Sequence, residues 1–122
     1  MKGPERQTFS EDERLKLRSQ FRRCIKAGTR VAGRYVVVYL APNDLGFSRL
    51  GAGSTRRVGN APRRNRGKRL VREAFRLSKR DLPPSSDLVV LPRIPWREPT
   101  LEALTADLIE AARQAESIGK VD

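Results

Sequence analysis

The sequence predicts an α+β fold: a two-layer α/β sandwich with a four-stranded sheet and three helices. Three observations predict it. Tyr35 to Ala41 (YVVVYLA) is a strand-length run of β-branched and aromatic residues. Asp87 to Leu91 (DLVVL) is a second short apolar run, which suits a strand buried on both faces. Around them, Pro62 to Lys79 and Leu101 to about Ile118 repeat their apolar residues at helical spacing. Elements in that mixed order pack as helices against a sheet, and 122 residues suffice for one domain with a single modest core.

In order, residues 1–13 are polar, mixed in charge and contain Gly3 and Pro4, so they read as a flexible tail. Residues 14–122 form the expected domain. Ser19 is the expected cap of a short helix through Lys26 that Gly28 ends. Phe21, Cys24 and Ile25 fall at i, i+3 and i+4 on it, a face that packs. Thr29 to Ala32 is a candidate short strand before the Tyr35–Ala41 strand. Pro42-Asn43-Asp44 turns the chain, and Arg49 to Ser54 (RLGAGS) is the returning strand. Its two glycines let a backbone or a ligand approach closely. This Gly-x-Gly lacks the third glycine and the downstream acid of a dinucleotide site.

The helix beginning near Pro62 is capped by Asn60, with the proline in the first turn and Gly59 allowing a tight entry. Leu70, Val71, Ala74, Phe75 and Ser78 share one face. Asn65, Lys68, Arg69, Arg72 and Arg76 fall on the opposite arc. Gly67 within it costs about 1 kcal/mol relative to Ala, and points to close approach to a sheet. Leu82-Pro83-Pro84 ends the element. After the Asp87–Leu91 strand, Pro92, Pro95 and Pro99 make a stiff connector in which Trp96 is a packing plug. Thr100 caps the last helix, whose apolar stripe runs through Leu101, Leu104, Leu108, Ala111, Ala112 and Ala115. Glu102, Asp107, Glu110 and Glu116 make its other side acidic, which sets it apart from any polyanion and predicts packing on the far side.

Charge is concentrated. Arg56 to Arg80 holds eleven Lys/Arg and one acid, Glu73, a surplus of ten in a chain of net charge +12. Outside it the acids nearly cancel the cations. A solvated face would intersperse both signs, whereas density of one sign repels itself until a polyanion neutralises it. A nucleic acid is the natural partner, and the oily face of this helix is committed to the sheet rather than to a membrane.

The chain has no His, which removes the commonest general base, His-based triads and most zinc sites. Cys24, the only cysteine, reads as a buried small hydrophobe in a reducing compartment. The N-terminus lacks the apolar core of a signal peptide, and no apolar run is long enough to span a bilayer. A cytoplasmic protein is expected. The fourteen acids are scattered, so a protein-only nuclease, which needs clustered carboxylates or a His base, is not supported.

Arg57-Val58-Gly59-Asn60-Ala61-x-x-Arg64-Asn65-Arg66-x-Lys68-Arg69-x-x-Arg72-Glu73-Ala74-Phe75 resembles, without a gap, the signature of the protein subunit of bacterial ribonuclease P. Phe21, Gly28-Thr29, Arg34, the strand with Tyr39, Leu50-Gly51 and Asp87-Leu88-Val89-Val90 extend the likeness over residues 14 to about 115. The resemblance implies that strand, basic helix and strand are joined by a left-handed crossover, against the usual preference. It implies a non-catalytic protein in a ribonucleoprotein endoribonuclease. There the RNA subunit, using Mg²⁺ that the protein does not hold, cuts the 5′ leader from precursor tRNA. Ribonuclease P RNA and precursor tRNA are the implied partners, with one protein per RNA subunit.

By position, Arg57, Asn60, Arg64, Asn65, Arg66, Lys68, Arg69, Arg72 and Arg76 are the implied RNA contacts. Phe21, Ile25 and Tyr39 are the implied leader cleft, offering stacking surfaces to single-stranded bases. From the sequence alone, Phe21 and Tyr39 serve ordinary core packing equally well, and Asn65 could be a plain surface residue. Departures from the pattern are Ile25, where some relatives carry an aromatic, Pro62 and Gly67 in place of apolar residues, and Pro92 where Ala is common. A ribosomal or other structural RNA-binding protein suits the charge and size as well; the motif separates the two.

Overall fold

The computed structural model describes residues 11–120, so the first ten residues of the expected tail lie outside it. Its helices are α1 (Arg18–Ala27), α2 (Ala61–Ser78) and α3 (Leu101–Gly119). Its strands are β1 (Thr29–Ala32), β2 (Val36–Pro42), β3 (Arg49–Ala52) and β4 (Ser86–Pro92). The four strands form one sheet in the order β1-β2-β4-β3. β2 is antiparallel to both β1 and β4, whereas β3 runs parallel to β4. A parallel pair cannot be joined by a tight turn; α2 makes the connection.

Alternation along β2 and β4 divides the two faces of the sheet. Val36, Val38, Leu40, Leu88 and Val90 face the main core with Leu50, Val71, Ala74, Phe75, Leu104 and Leu108. Val89, Tyr39, Ala41 and Leu91 face the other way, against Leu15, Phe21 and Cys24. α2 and α3 therefore share one side of the sheet, and α1 crosses part of the other. That arrangement corrects the expectation that the acidic helix lies far from the basic one: α3 packs beside α2. One of its acids is turned to structure. The Asp107 carboxylate accepts from the backbone N–H groups of Arg34 (2.8 Å), Tyr35 (2.8 Å) and Val36 (3.2 Å), and so holds the β1–β2 turn.

Local signals explain most boundaries, and three expectations change. Ser19 does not cap α1. Leu17 is the cap residue, and the Gln20 side chain accepts from the backbone N–H groups of Lys16 (2.9 Å) and Leu17 (3.0 Å), performing the cap in reverse. The chain is ordered before Arg14: Glu11–Glu13 form a 3₁₀ turn, and the Glu13 carboxylate pairs with Lys79 at 2.6 Å. Arg14 then bridges in parallel to Leu50, on the free edge of β3. Gly67 does not face the sheet. A Cβ there would lie 3.7 Å from the Trp96 ring, so the glycine faces the connector, and Trp96 is the buried plug expected of it.

Candidate nucleic-acid interface

α2 starts where its residues say it should. The Asn60 side chain accepts from the Arg63 N–H at 3.1 Å, and Pro62 sits in the first turn, where a missing N–H leaves no gap. The Arg64 guanidinium donates to the Gly59 carbonyl at 2.9 Å, tying the entry turn to the helix. Gly59 has φ +145°, and a Cβ there would meet Arg63 Cδ at 2.9 Å, so this corner requires glycine. Asn60 is thus first a structural residue; its side-chain oxygen is engaged in the cap.

The cationic residues then separate by what they meet. Arg57, Asn65, Arg66 and Arg69 are exposed, while Arg64, Lys68, Arg72 and Arg76 are half-buried. Arg66 pairs with Glu98 on the connector at 2.7 Å, and Arg76 with Glu73 one turn back. Arg72 stands in a different setting. Its guanidinium pKa is lowered, first by burial and then by the positive charges of Arg14 and Arg69. Three cations from two segments crowd one place, and such crowding is what an incoming phosphate relieves.

Arg14 was not among the residues the motif assigns. It lies 58 positions before Arg72 in the chain, and only the pairing of residues 14–15 with the edge of β3 delivers it there; the Leu15 N–H donates to the Leu50 carbonyl at 3.0 Å. A basic residue just ahead of α1 was the only signal in the sequence.

On the α1 side of the sheet, Phe21 and Tyr39 come together in the small cluster around Cys24 and Val89. Phe21 lies over the glycines of the β3 strand and its exit. A Cβ on Gly51 would meet the Phe21 ring at 2.6 Å, so the space this Gly-x-Gly leaves is taken by an aromatic side chain rather than by the backbone or ligand expected there. Both aromatics are half-buried, which accommodates packing on one side of the ring and an accessible surface on the other. Ile25 does not join them. It is 39 % exposed, so the expectation that it shares a packed face with Phe21 and Cys24 does not hold.

Cys24 is buried, and its Sγ donates towards the Tyr39 and Asp87 carbonyls at 3.4 Å. Burial first, then the Asp87 carboxylate, push its thiol up to about 11, the opposite of an activated nucleophile. Asp87 is itself held by Arg49 through two 2.8 Å hydrogen bonds. Among the described residues no group of three or more His, Cys, Asp or Glu is gathered to hold a metal ion, and no helix is long and apolar enough to cross a membrane.

Residues 9–116 match the Ribonuclease P family. The chain is similar to the ribonuclease P protein component of Thermotoga petrophila, 45 % identical over 87 residues that span 71 % of this chain and 74 % of that protein. It is similar to that of Clostridioides difficile at 35 % over 95 residues, spanning 77 % and 83 %. Among solved structures, the Thermotoga maritima RNase P protein superposes with a TM-score of 0.75 at 35 % identity, covering 84 % of this chain and 96 % of that one. The Staphylococcus aureus RNase P protein superposes at 0.70 and 33 %, covering 89 % and 96 %.

Proposed function

The chain belongs to the ribonuclease P protein family, and from that premise we propose that it grips the 5′ leader of precursor tRNA while bound to ribonuclease P RNA. As a ribonuclease P protein component it is the protein part of a ribonucleoprotein endoribonuclease, partnered with ribonuclease P RNA. The observation that carries the proposal is the crowding of Arg14, held on the edge of β3, with Arg69 and Arg72 of α2. Phe21 lies over the glycines of that same strand. Phosphate contacts and an aromatic surface for unstacked bases thus sit at one strand, a combination suited to single-stranded RNA.

In this reading the chain binds and positions. Arg64, Asn65, Arg66, Lys68 and Arg69 meet the phosphates of the catalytic RNA, Arg giving bidentate contacts where geometry allows. Arg57, Arg72 and Arg76 extend that face, and Asn60 contributes by fixing the helix start. Phe21 and Tyr39 offer stacking surfaces to the leader, with Ile25 at the rim. Mg²⁺, held by the RNA subunit, supplies the hydrolytic chemistry. The protein's cations lessen the phosphate repulsion that would otherwise demand more of that ion. One protein per RNA subunit, in the cytoplasm, is the simplest arrangement.

The test is cleavage of a precursor tRNA by ribonuclease P RNA at low Mg²⁺, with and without the protein. Rescue of cleavage, together with tighter binding of precursor than of leaderless tRNA, is the expected result. Binding without rescue would reduce the chain to a structural RNA-binder, and no binding would overturn the reading.

A further inference from the structure

A second cationic cluster lies away from the α2 motif, at the end of the sheet where β2 begins and β4 ends. Arg34, in the β1–β2 turn, and Arg93 and Arg97, in the connector after β4, line a cleft of about 270 Å³ with Tyr35 and Pro95. Two of the three guanidinium groups are held in place. Arg93 donates to the Gly33 carbonyl at 2.6 Å, while its backbone N–H donates to the Tyr35 carbonyl at 2.9 Å. The Arg34 guanidinium carbon lies 5.9 Å from the centre of the Tyr35 ring, within cation–π range.

None of the three pairs with a carboxylate among the described residues, in contrast to Arg49, Arg66, Arg76 and Arg113, each of which does. The acid that reaches this turn, Asp107 of α3, has its carboxylate engaged by three backbone N–H groups. A concave site with three cations, none of them ion-paired, suits a phosphate: the guanidinium forks match its oxygens, and Arg93 is already oriented.

The site also connects to the basic helix. The connector that carries Arg93 and Arg97 packs Trp96 against Gly67 and pairs Glu98 with Arg66, so its course is fixed against the first half of α2. We propose that Arg34, Arg93 and Arg97 form a second phosphate-binding site that takes a phosphodiester of the RNA backbone and extends the α2 interface around the end of the sheet. The inference rests on the RNA-binding reading above. The phosphate belongs either to ribonuclease P RNA or to the precursor leader.

The test compares the wild-type protein with an Arg34→Gln/Arg97→Gln double variant, leaving Arg93 and its backbone bond intact. Binding is titrated against salt in two arms: ribonuclease P RNA alone, and precursor tRNA with its leader on the assembled holoenzyme. Neutralising one phosphate contributes about 0.7 to 0.9 to the slope of log affinity against log salt, so with one phosphodiester at the site a drop approaching that size is expected in one arm. A drop with ribonuclease P RNA alone assigns the phosphate to that RNA; a drop confined to the precursor arm assigns it to the leader. An Arg34→Lys/Arg97→Lys variant is expected to restore the slope, since it keeps the charges. Slopes unchanged in both arms, from a double variant that unfolds at the wild-type temperature, overturn the second site alone. A wild-type protein that binds neither RNA overturns the reading beneath it.

Discussion

Replacing Arg72 by Met separates a functional cation from a structural one. Arg72 is half-buried on α2, and Met keeps an unbranched stem of similar helix propensity while removing the charge. In the free protein that charge sits against Arg14 and Arg69, with Arg69 three residues away on the same helix face. Like charges at such spacing destabilise by about 0.2–0.5 kcal/mol. With an unfolding entropy of about 0.26 kcal/mol/K for a domain of this size, relief raises Tm by about 1–2 °C. RNA binding moves the opposite way. Without this cation on its phosphate the salt slope falls by about 0.8, so over a fourfold rise in salt the wild-type advantage shrinks about threefold. Thermal unfolding followed by circular dichroism and RNA titration at several salt concentrations read the two effects. A fall in Tm of several degrees with an unchanged salt slope would refute the reasoning, because Arg72 would then be a scaffold residue.

Three other perturbations test the scaffold itself. Gly67→Ala places a methyl at ordinary van der Waals distance, 3.7 Å, from Trp96 and removes a helix-interior glycine. A gain of about 1 kcal/mol, or about 4 °C in Tm, is expected; destabilisation would show that Trp96 cannot accept the methyl. Asp107→Asn removes the charge that three backbone N–H groups share and should cost about 1.5–3 kcal/mol, read as a lower urea midpoint. The Cys24 thiol ionises near its ordinary 9.0 when unfolded and near 11 when folded. Its stabilising contribution is therefore complete below pH 9 and disappears as pH rises from 9 to 11, a dependence that Cys24→Ala should lack.

What could be read from the residues followed the range of the forces involved. The β2 and β4 strands, the Asn60 and Thr100 caps and the apolar face of α2 depend on neighbours a few positions away, and they stand as the sequence suggested. Features made by distant segments were not legible. Trp96 meets Gly67 across 29 positions, and the Asp107 carboxylate reaches the β1–β2 turn across more than 70. The motif pointed to Arg69 and Arg72, but Arg14 joins them only because a strand edge recruits it. The start of α1 failed for a subtler reason. Ser19 has the right chemistry for a cap, yet Gln20 reaches back to two N–H groups and makes the helix begin two residues sooner than Ser19 would have set it.

The distribution of acids gives the cationic surfaces their meaning. Where a carboxylate meets a cation or a backbone turn, it fixes a junction of the scaffold. Asp87 with Arg49 joins β4 to β3, Glu13 with Lys79 joins the first turn to the end of α2, and Glu98 with Arg66 joins the connector to its start. Asp107 organises the β1–β2 turn. With the acids so placed, Lys68, Arg69 and Arg72 on the outer arc of α2 keep charges that no carboxylate among the described residues pairs with. Ion pairs on an exposed arc contribute little to stability, so extra acids would have added little to the scaffold while cancelling the field that attracts RNA. In the proposed reading, the part of the Arg56 to Arg80 surplus left outside those pairs serves binding, and the fold tolerates it at the modest repulsion between Arg72 and its cationic neighbours.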